Sequence, residues 1–159
     1  MSDRMQSFSE FWPYYLAEHQ LPSCRWVHFI GTTGFVSYLL WLINQEVQQG
    51  SYVLLSAFFL VILGGKISFQ SEVKGYALWI LLGMISGLIW ANSAVVYGII
   101  FAYAWAWVGH FILEHNRPAT FKYPLWSLAG DFRMCLEMWR GRLWTGQAVD
   151  KERLNQEGI

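Results

Sequence analysis

Charged side chains divide the chain into polar stretches and three long uncharged gaps. No Asp, Glu, Lys or Arg occurs in residues 26–45, 47–65 or 75–113. A helix needs about 20 mostly apolar residues to cross the ~30 Å hydrocarbon layer of a membrane. The first gap therefore predicts one membrane span and the last gap predicts two. The second gap has a purely apolar part at residues 52–65 that is short for a span and also suits a buried or re-entrant segment.

This pattern predicts an all-α integral-membrane bundle formed by a single domain, residues 1–144. Helices are favoured over a membrane β-barrel because no segment alternates regularly between apolar and polar side chains. Lipid also leaves backbone groups no partners except each other, which a helix satisfies internally. Four spans are predicted, at about residues 28–46, 50–65, 76–91 and 93–113.

Two segments outside the spans are predicted to lie flat in the membrane interface. Residues 8–18 are aromatic with a few acids, and residues 131–143 place their apolar side chains on one helical face, which is typical of an interfacial amphipathic helix. Their Trp and Tyr side chains are interpreted as anchors. Asp131 is interpreted as the N-cap of the second helix. Residues 145–159 are predicted to form a polar, solvated tail.

The basic residues indicate how the bundle is oriented. With four spans, both termini and the loop at residues 66–74 share one face, which then carries all 11 Lys and Arg residues. The positive-inside rule places that face in the cytoplasm. A two-span arrangement would leave Lys66 and Lys74 on the other side, so the charge distribution favours four.

Composition supports a membrane protein and excludes several other classes. The chain is 55% hydrophobic and 14% charged, against about 25% charged residues in a typical soluble domain. The formal net charge is zero, so no nucleic-acid partner is predicted. Two cysteines are too few for a disulfide framework. The polar N-terminus lacks the apolar core of a cleaved signal peptide.

The candidate chemistry lies in the histidines, which flank the apolar segments. His19 and His28 lie where the first predicted span begins, and His110 and His115 lie where the fourth one ends. An even number of spans brings both ends to one depth of the bilayer. On a regular α-helix Glu114 would share a face with His110, four residues before it.

Imidazoles with a carboxylate suit Fe, Zn or Cu, and two histidines with one carboxylate form the facial triad of non-haem Fe(II) oxygenases. The spacing matches no strong metal motif, so two alternatives stay open. His28 and His110 could bind haem from two facing helices. The histidines could also be structural, hydrogen-bonding headgroups or stabilising a helix interface.

Three segments give the chain a recognisable resemblance over residues 8–34 and 106–143. They are "FSEFWPYYLAEH", "CRWVHFIGT" and "GHFILEHNRPATFKYPLWSLAGDFRM". In order and spacing they resemble the small membrane family related to the eukaryotic 2-hydroxy fatty acid dioxygenase.

The resemblance implies a membrane-embedded Fe(II)-dependent dioxygenase of fatty acid α-oxidation, with a long-chain 2-hydroxy fatty acid and O₂ as substrates. The family pattern falls on His19, His28, His110 and Glu114, which it implies are the metal-binding and catalytic residues. His115 stands where the pattern more often has Lys. The expected location is a bacterial inner membrane, with the termini and the site on the cytoplasmic face.

A 2-hydroxy acid suits such a site because its carboxylate and hydroxyl can chelate a metal that has open positions. Converting RCH(OH)COOH and O₂ into RCOOH, CO₂ and water balances without outside electrons, so no nicotinamide or 2-oxoglutarate site is required. Arg25 or Arg117 could pair with the substrate carboxylate or with lipid phosphates. The alternative to an enzyme remains a membrane protein whose histidines bind haem or stabilise an interface.

Overall fold

The computed structural model describes residues 4–149, and every regular element in that range is a helix. The α-helices in chain order are α1 (Phe8–Ala17), α2 (Pro22–Gln48), α3 (Val53–Ser68), α4 (Ser71–Lys74), α5 (Ala77–Ala91), α6 (Val95–Trp107) and α7 (Pro124–Trp139). A π-helical segment, Val108–Glu114, continues α6 and is called the π turn below, and a short 3-10 turn, Ala119–Phe121, precedes α7. The predicted all-helical bundle is therefore confirmed.

Two helices are long and apolar enough to cross a membrane: Pro22–Gln48 and Val95–Glu114. Only 28% and 22% of their most apolar windows are buried inside the protein, which is unlike the core helix of a soluble domain. The other two predicted spans correspond to α3 and α5, apolar helices of 16 and 15 residues. These are shorter than the ~20 residues that a perpendicular span needs.

The four long apolar helices are arranged as two pairs. α2 packs along α6 and α3 packs along α5, whereas contacts between the two pairs are sparse. Glycines bring the first pair close together: a Cβ on Gly31 would lie 3.1 Å from the backbone oxygen of Ala102, and one on Gly98 would lie 2.9 Å from Tyr38. Small residues permit this close approach between membrane helices.

The N-terminal helix α1 packs against α7 through a cluster of aromatic side chains. Phe11, Tyr15, Tyr123 and Trp126 are all buried in this cluster. The interpretation of the Trp and Tyr side chains of residues 8–18 as anchors is therefore wrong for Tyr15. Its ring is buried in this cluster, since α7 covers that face of α1.

Helix α7 begins earlier than the sequence predicted, at Pro124 and not near residue 131. Proline suits the first turn of a helix, where its missing N–H has no intrahelical partner to lose. Glu72 of α4 accepts the next two backbone N–H groups through Oε1, from Leu125 at 2.5 Å and Trp126 at 3.0 Å. Asp131 is consequently not an N-cap, and it lies in the middle of α7.

The segment after α7 is only partly the predicted solvated tail: residues 145–147 are exposed, and residues 148 and 149 are half-buried. Gln20 donates from Nε2 to the backbone oxygen of Val149 at 3.1 Å, and Ala148 and Val149 pack against the aromatic core. This segment therefore folds back over the turn between α1 and α2. Residues 150–159 of the predicted tail lie outside the described residues.

Candidate metal centre

Three histidines from three different elements meet in one buried cluster. His19 follows α1, His28 lies in α2, and His110 lies in the π turn. The ring centroid of His19 lies 4.6 Å from that of His28 and 4.7 Å from that of His110. The ring centroids of His28 and His110 are 5.0 Å apart. Their side chains are 0%, 4% and 3% exposed.

The turn between α1 and α2 places His19 beside His28, and Arg25 holds that turn. Pro22 starts α2, as proline does in many helices. Arg25 then donates from Nη1 to the backbone oxygens of His19 and Gln20, at 2.8 and 2.5 Å. These bonds fold the end of α1 back onto the first turns of α2, so that two histidines nine positions apart can meet.

The π turn brings His110 to the other two histidines. A Cβ on Gly109 would lie 3.1 Å from Cys24 Sγ and from His28 Cδ2, so glycine allows the turn to pack directly on α2. In a π-helix the hydrogen bonds run to the fifth residue and not the fourth. Glu114, which was expected beside His110, has its carboxylate at the start of α2. Glu114 Oε1 accepts the backbone N–H of Leu21 at 2.6 Å.

Each of the three histidines uses Nδ1 for a hydrogen bond within the protein. His19 bonds to the Tyr15 backbone oxygen at 2.6 Å, His28 to Asp131 Oδ1 at 2.8 Å, and His110 to Asn116 Oδ1 at 2.7 Å. A carbonyl oxygen can only accept, so Nδ1 of His19 must carry a proton.

The other two partners lead to the same tautomer. The amide nitrogen of Asn116 donates to both the backbone and the side chain of Glu18, at 2.8 and 2.9 Å, which fixes its oxygen toward His110. Asp131 presents a carboxylate oxygen to His28. Protonated Nδ1 atoms leave the Nε2 lone pairs free, as in protein metal sites where an outer partner orients each ligand.

The Nε2 atoms fit a metal ion. Those of His19 and His28 are buried, and neither has a hydrogen-bond partner among the described residues. Ligand atoms of His19, Cys24 and His28 all lie within 4.8 Å of one another, a spacing that allows them to share one ion. Buried polar atoms normally find a partner, so unpartnered nitrogens on two rings that lie in contact indicate a cation site.

Burial also favours the neutral form of His19. It lowers the pKa of His19 well below its usual value, and the neighbouring His28 and His110 rings lower it further. A neutral imidazole is the form that ligates a metal. Burial raises the pKa of Tyr15 well above its usual range, with Asp131 adding to the effect, so Tyr15 stays a donor.

Three other residues considered in the sequence lie away from the cluster of Nε2 atoms. The guanidinium of Arg25 is buried and also donates to the backbone oxygens of Leu143, Thr145 and Gly146. All five of its N–H groups are thereby used, which corrects the expectation that it meets a substrate carboxylate. Arg117 is exposed, and so is His115, which has a left-handed backbone with φ of 54°.

A cavity of about 170 Å³ opens beside the histidine cluster. Its walls include His28, His110 and Asp131, together with Tyr103 and Ser127. Ser127 is 2% exposed, and its hydroxyl has no hydrogen-bond partner among the residues that the structure describes. This cavity, called the head pocket below, therefore offers a polar end next to the histidines.

Sequence reasoning missed the residues that orient the imidazoles, namely Asp131 and Asn116. Asp131 shares its Oδ1 between His28 and the hydroxyl of Tyr15, which donates at 2.5 Å. One available signal was an acid in the middle of an otherwise apolar segment, "PLWSLAGDFRM". Asn116, directly after "LEH", carried no comparable signal.

Comparison with known proteins gives one match. A family model described as "2-hydroxy-palmitic acid dioxygenase Mpo1-like" matches residues 5–143. No curated protein and no solved structure matches the chain. The matched region contains all three clustered histidines and the residues that orient them.

Proposed function

The chain belongs to the 2-hydroxy-palmitic acid dioxygenase Mpo1-like family, and from this premise we propose that it is a membrane-embedded, Fe(II)-dependent dioxygenase. It converts a long-chain 2-hydroxy fatty acid and O₂ into the acid one carbon shorter, CO₂ and water. The observation that supports the proposal is the cluster of three buried histidines, each fixed through Nδ1. Family membership alone would not distinguish an active member from an inactive one.

The metal ligands in this proposal are the Nε2 atoms of His19, His28 and His110. His19 and His28 belong to the group with closely spaced ligand atoms, in which Cys24 is a further candidate. His110 is added because its ring centroid lies 4.7 Å from that of His19 and 5.0 Å from that of His28. When bound, Fe(II) supplies the redox chemistry with O₂ that Zn, a redox-inert ion, cannot supply.

Glu114 was expected as a fourth ligand, but its hydrogen bond to Leu21 supports a role in positioning α2. The negative carboxylate lies beside the N-terminus of α2, where the helix dipole favours it.

The residues around the cluster prepare the site in three ways. Asp131 and Asn116 hold the rings of His28 and His110 and increase the basicity of their Nε2 atoms. Burial of all three rings excludes water from the reacting end of the substrate. Ser127 offers a hydroxyl to the carboxylate or the 2-hydroxyl of the substrate in the head pocket.

We place this site at the cytoplasmic face of the membrane, within one domain. The apolar surface supports a lipid environment: Ile67, Trp79 and Trp90 are 76%, 73% and 85% exposed. Soluble monomers rarely expose large contiguous apolar patches. In this arrangement α2 and the α6–π helix cross the bilayer, and α3 and α5 form a shorter apolar hairpin beside them.

The alternative of a haem protein is less well supported by the geometry. The rings of His28 and His110 are 5.0 Å apart and nearly perpendicular, and the His19 ring contacts both. A macrocycle would have to pass between rings that already touch. A purely structural role explains the Nδ1 bonds, but it leaves two buried Nε2 atoms unexplained.

The deciding experiment measures bound metal and product on the same purified protein in lipid. We expect about one Fe per chain after anaerobic loading, and no Soret band. With O₂ and 2-hydroxypalmitic acid, this protein should form the acid one carbon shorter, whereas palmitic acid should be inert because it lacks the second chelating oxygen. Zn-loaded protein should give no product.

Two variants serve as a matched pair for this experiment. His110→Ala should remove most of the bound metal, while His115→Ala should keep it, because His115 lies outside the cluster and is exposed. Equal metal content in the two variants would refute the site. Verified Fe(II) protein that forms no shortened acid from any chain length would refute the reaction.

A further inference from the structure

A second and larger cavity, of about 550 Å³, lies between the two helix pairs. It exists because α2 with α6 and α3 with α5 pack tightly within each pair but sparsely between pairs. Its walls are almost entirely apolar and come from all four helices, with α7 at one end. Its size falls within the range of about 300–1,000 Å³ that is usual for pockets that bind small molecules.

This cavity adjoins the head pocket beside the histidines. The two cavities share five wall residues, which are Phe35, Ala102, Tyr103, Leu128 and Phe132. The head pocket and the apolar cavity therefore share one wall. A molecule that occupies both would have a polar head near His28 and His110 and a long apolar remainder.

The combined length of the head pocket and the apolar cavity matches one acyl chain. Leu39, at the far end, lies eleven residues beyond His28 on α2, which is about 16 Å at ~1.5 Å per residue. Half of the ~30 Å hydrocarbon layer of a bilayer, which one acyl chain fills, is about 15 Å. A buried apolar cluster closes this end, since Leu39 and Leu88 line the cavity and pack on Leu54 and Val95.

We propose that the cavity between the helix pairs binds the hydrocarbon chain of the substrate, with the methyl end near Leu39 and Leu88. The inference rests on the proposed function for the identity of the head group, and it adds the location of the chain. Selectivity for long chains then has a structural cause. Each methylene buried in the cavity strengthens binding about fourfold, so short 2-hydroxy acids leave most of the available stabilisation unused.

The first test uses a substitution that adds volume at the wall shared by the two cavities. Ala102→Phe adds a ring at a position that lines both, and Ala104→Phe adds the same ring on the same helix at an exposed position that lines neither. We expect Ala102→Phe to weaken binding of 2-hydroxypalmitic acid by about fourfold for each methylene displaced. Binding of 2-hydroxybutyric acid should weaken less than that of 2-hydroxypalmitic acid, because only the longer chain extends past the shared wall, and Ala104→Phe should resemble wild type with both acids. Both affinities are measured without O₂, on metal-loaded protein in lipid.

The second test locates the chain directly in the wild-type protein. A 2-hydroxypalmitic acid with a diazirine at its methyl end is bound without O₂, irradiated and located by peptide mass spectrometry. We expect labelling at Val61, Ile85 or Leu88, which line the cavity, and not at the lipid-facing Phe59 or Trp90. An excess of 2-hydroxypalmitic acid should compete the label away.

The two proposals fail in distinguishable ways. Labelling confined to lipid-facing residues, or equal binding profiles for Ala102→Phe and Ala104→Phe, would overturn the chain site even if the protein shortens 2-hydroxy acids. Competed labelling inside the cavity without any shortened product would overturn the dioxygenase proposal and leave the chain site standing.

Discussion

Replacing Asp131 by Asn should weaken metal binding at the histidine cluster by about 10- to 100-fold. Asp131 Oδ1 accepts hydrogen bonds from His28 Nδ1 at 2.8 Å and from the Tyr15 hydroxyl at 2.5 Å. Asn keeps an oxygen at this position but removes the negative charge that makes Nε2 of His28 a stronger metal ligand. The expected loss corresponds to about 1.4–2.7 kcal/mol of binding free energy.

The assay is anaerobic competition for Fe(II) between the protein in lipid and a chromophoric chelator. Glu137→Gln is the matched control, because Glu137 is on the same helix and pairs only with the exposed Arg140 and Arg142 among the interactions described. Tyr15→Phe should change the affinity less than Asp131→Asn, since the carboxylate remains in place. Circular dichroism checks that each variant keeps its helices.

An unchanged Fe(II) affinity in Asp131→Asn would refute this reasoning. It would mean either that His28 is not a ligand or that its outer partner has no influence on the metal. An equal loss in Glu137→Gln would instead attribute the effect to a general change in α7.

Three further changes test how the fold supports the cluster. Glu72→Ala should lower the free energy of unfolding by about 1–3 kcal/mol in chemical denaturation, since two buried N–H groups of α7 lose their acceptor. Glu72→Gln should lower the free energy of unfolding less, because burial already raises the pKa of this carboxyl group. Gly109→Ala should reduce bound metal in elemental analysis, because the new Cβ would lie 3.1 Å from His28 Cδ2. Glu114→Gln should retain metal, since its side-chain oxygen can still accept from the start of α2; a loss as large as that of His110→Ala would instead make Glu114 a ligand.

The convergence of the histidines could be anticipated from the sequence, and the reason is the distribution of charge. Uncharged gaps in the chain begin near His28 and end near His110, and a helix in a bilayer must end where charged residues resume. That constraint sets the depth of each histidine in the bilayer and holds for any arrangement of the helices. It predicts which residues can lie close together, but it does not predict which of their atoms are in contact.

The outer partners could not be anticipated, because they depend on where one helix begins. Asp131 can reach His28 because α7 starts at Pro124. That start is stabilised by Glu72, which lies more than fifty residues earlier in the chain. A glycine followed by an aspartate resembles a helix start when the sequence is considered alone. Tertiary contacts override that local signal.

The surroundings of Glu114 could not be anticipated for a different physical reason. The chain at Val108–Glu114 is π-helical, and such turns are rare and often occur at functional sites. Spacing in the sequence predicts neither this turn nor the hydrogen bond that Glu114 accepts from Leu21 across it.

A metal ion bound at the cluster would also contribute to the stability of the fold. His19, His28 and His110 belong to separate elements, so one ion held by all three would connect α1, α2 and the π turn in addition to the packing between them. The buried Nε2 atoms of His19 and His28 lack protein partners, and burial without a partner costs about 1–3 kcal/mol for each polar group. An ion that supplies both partners offsets that cost, and its binding free energy appears as folding free energy. The affinity of the site and the stability of the bundle around it must therefore rise together.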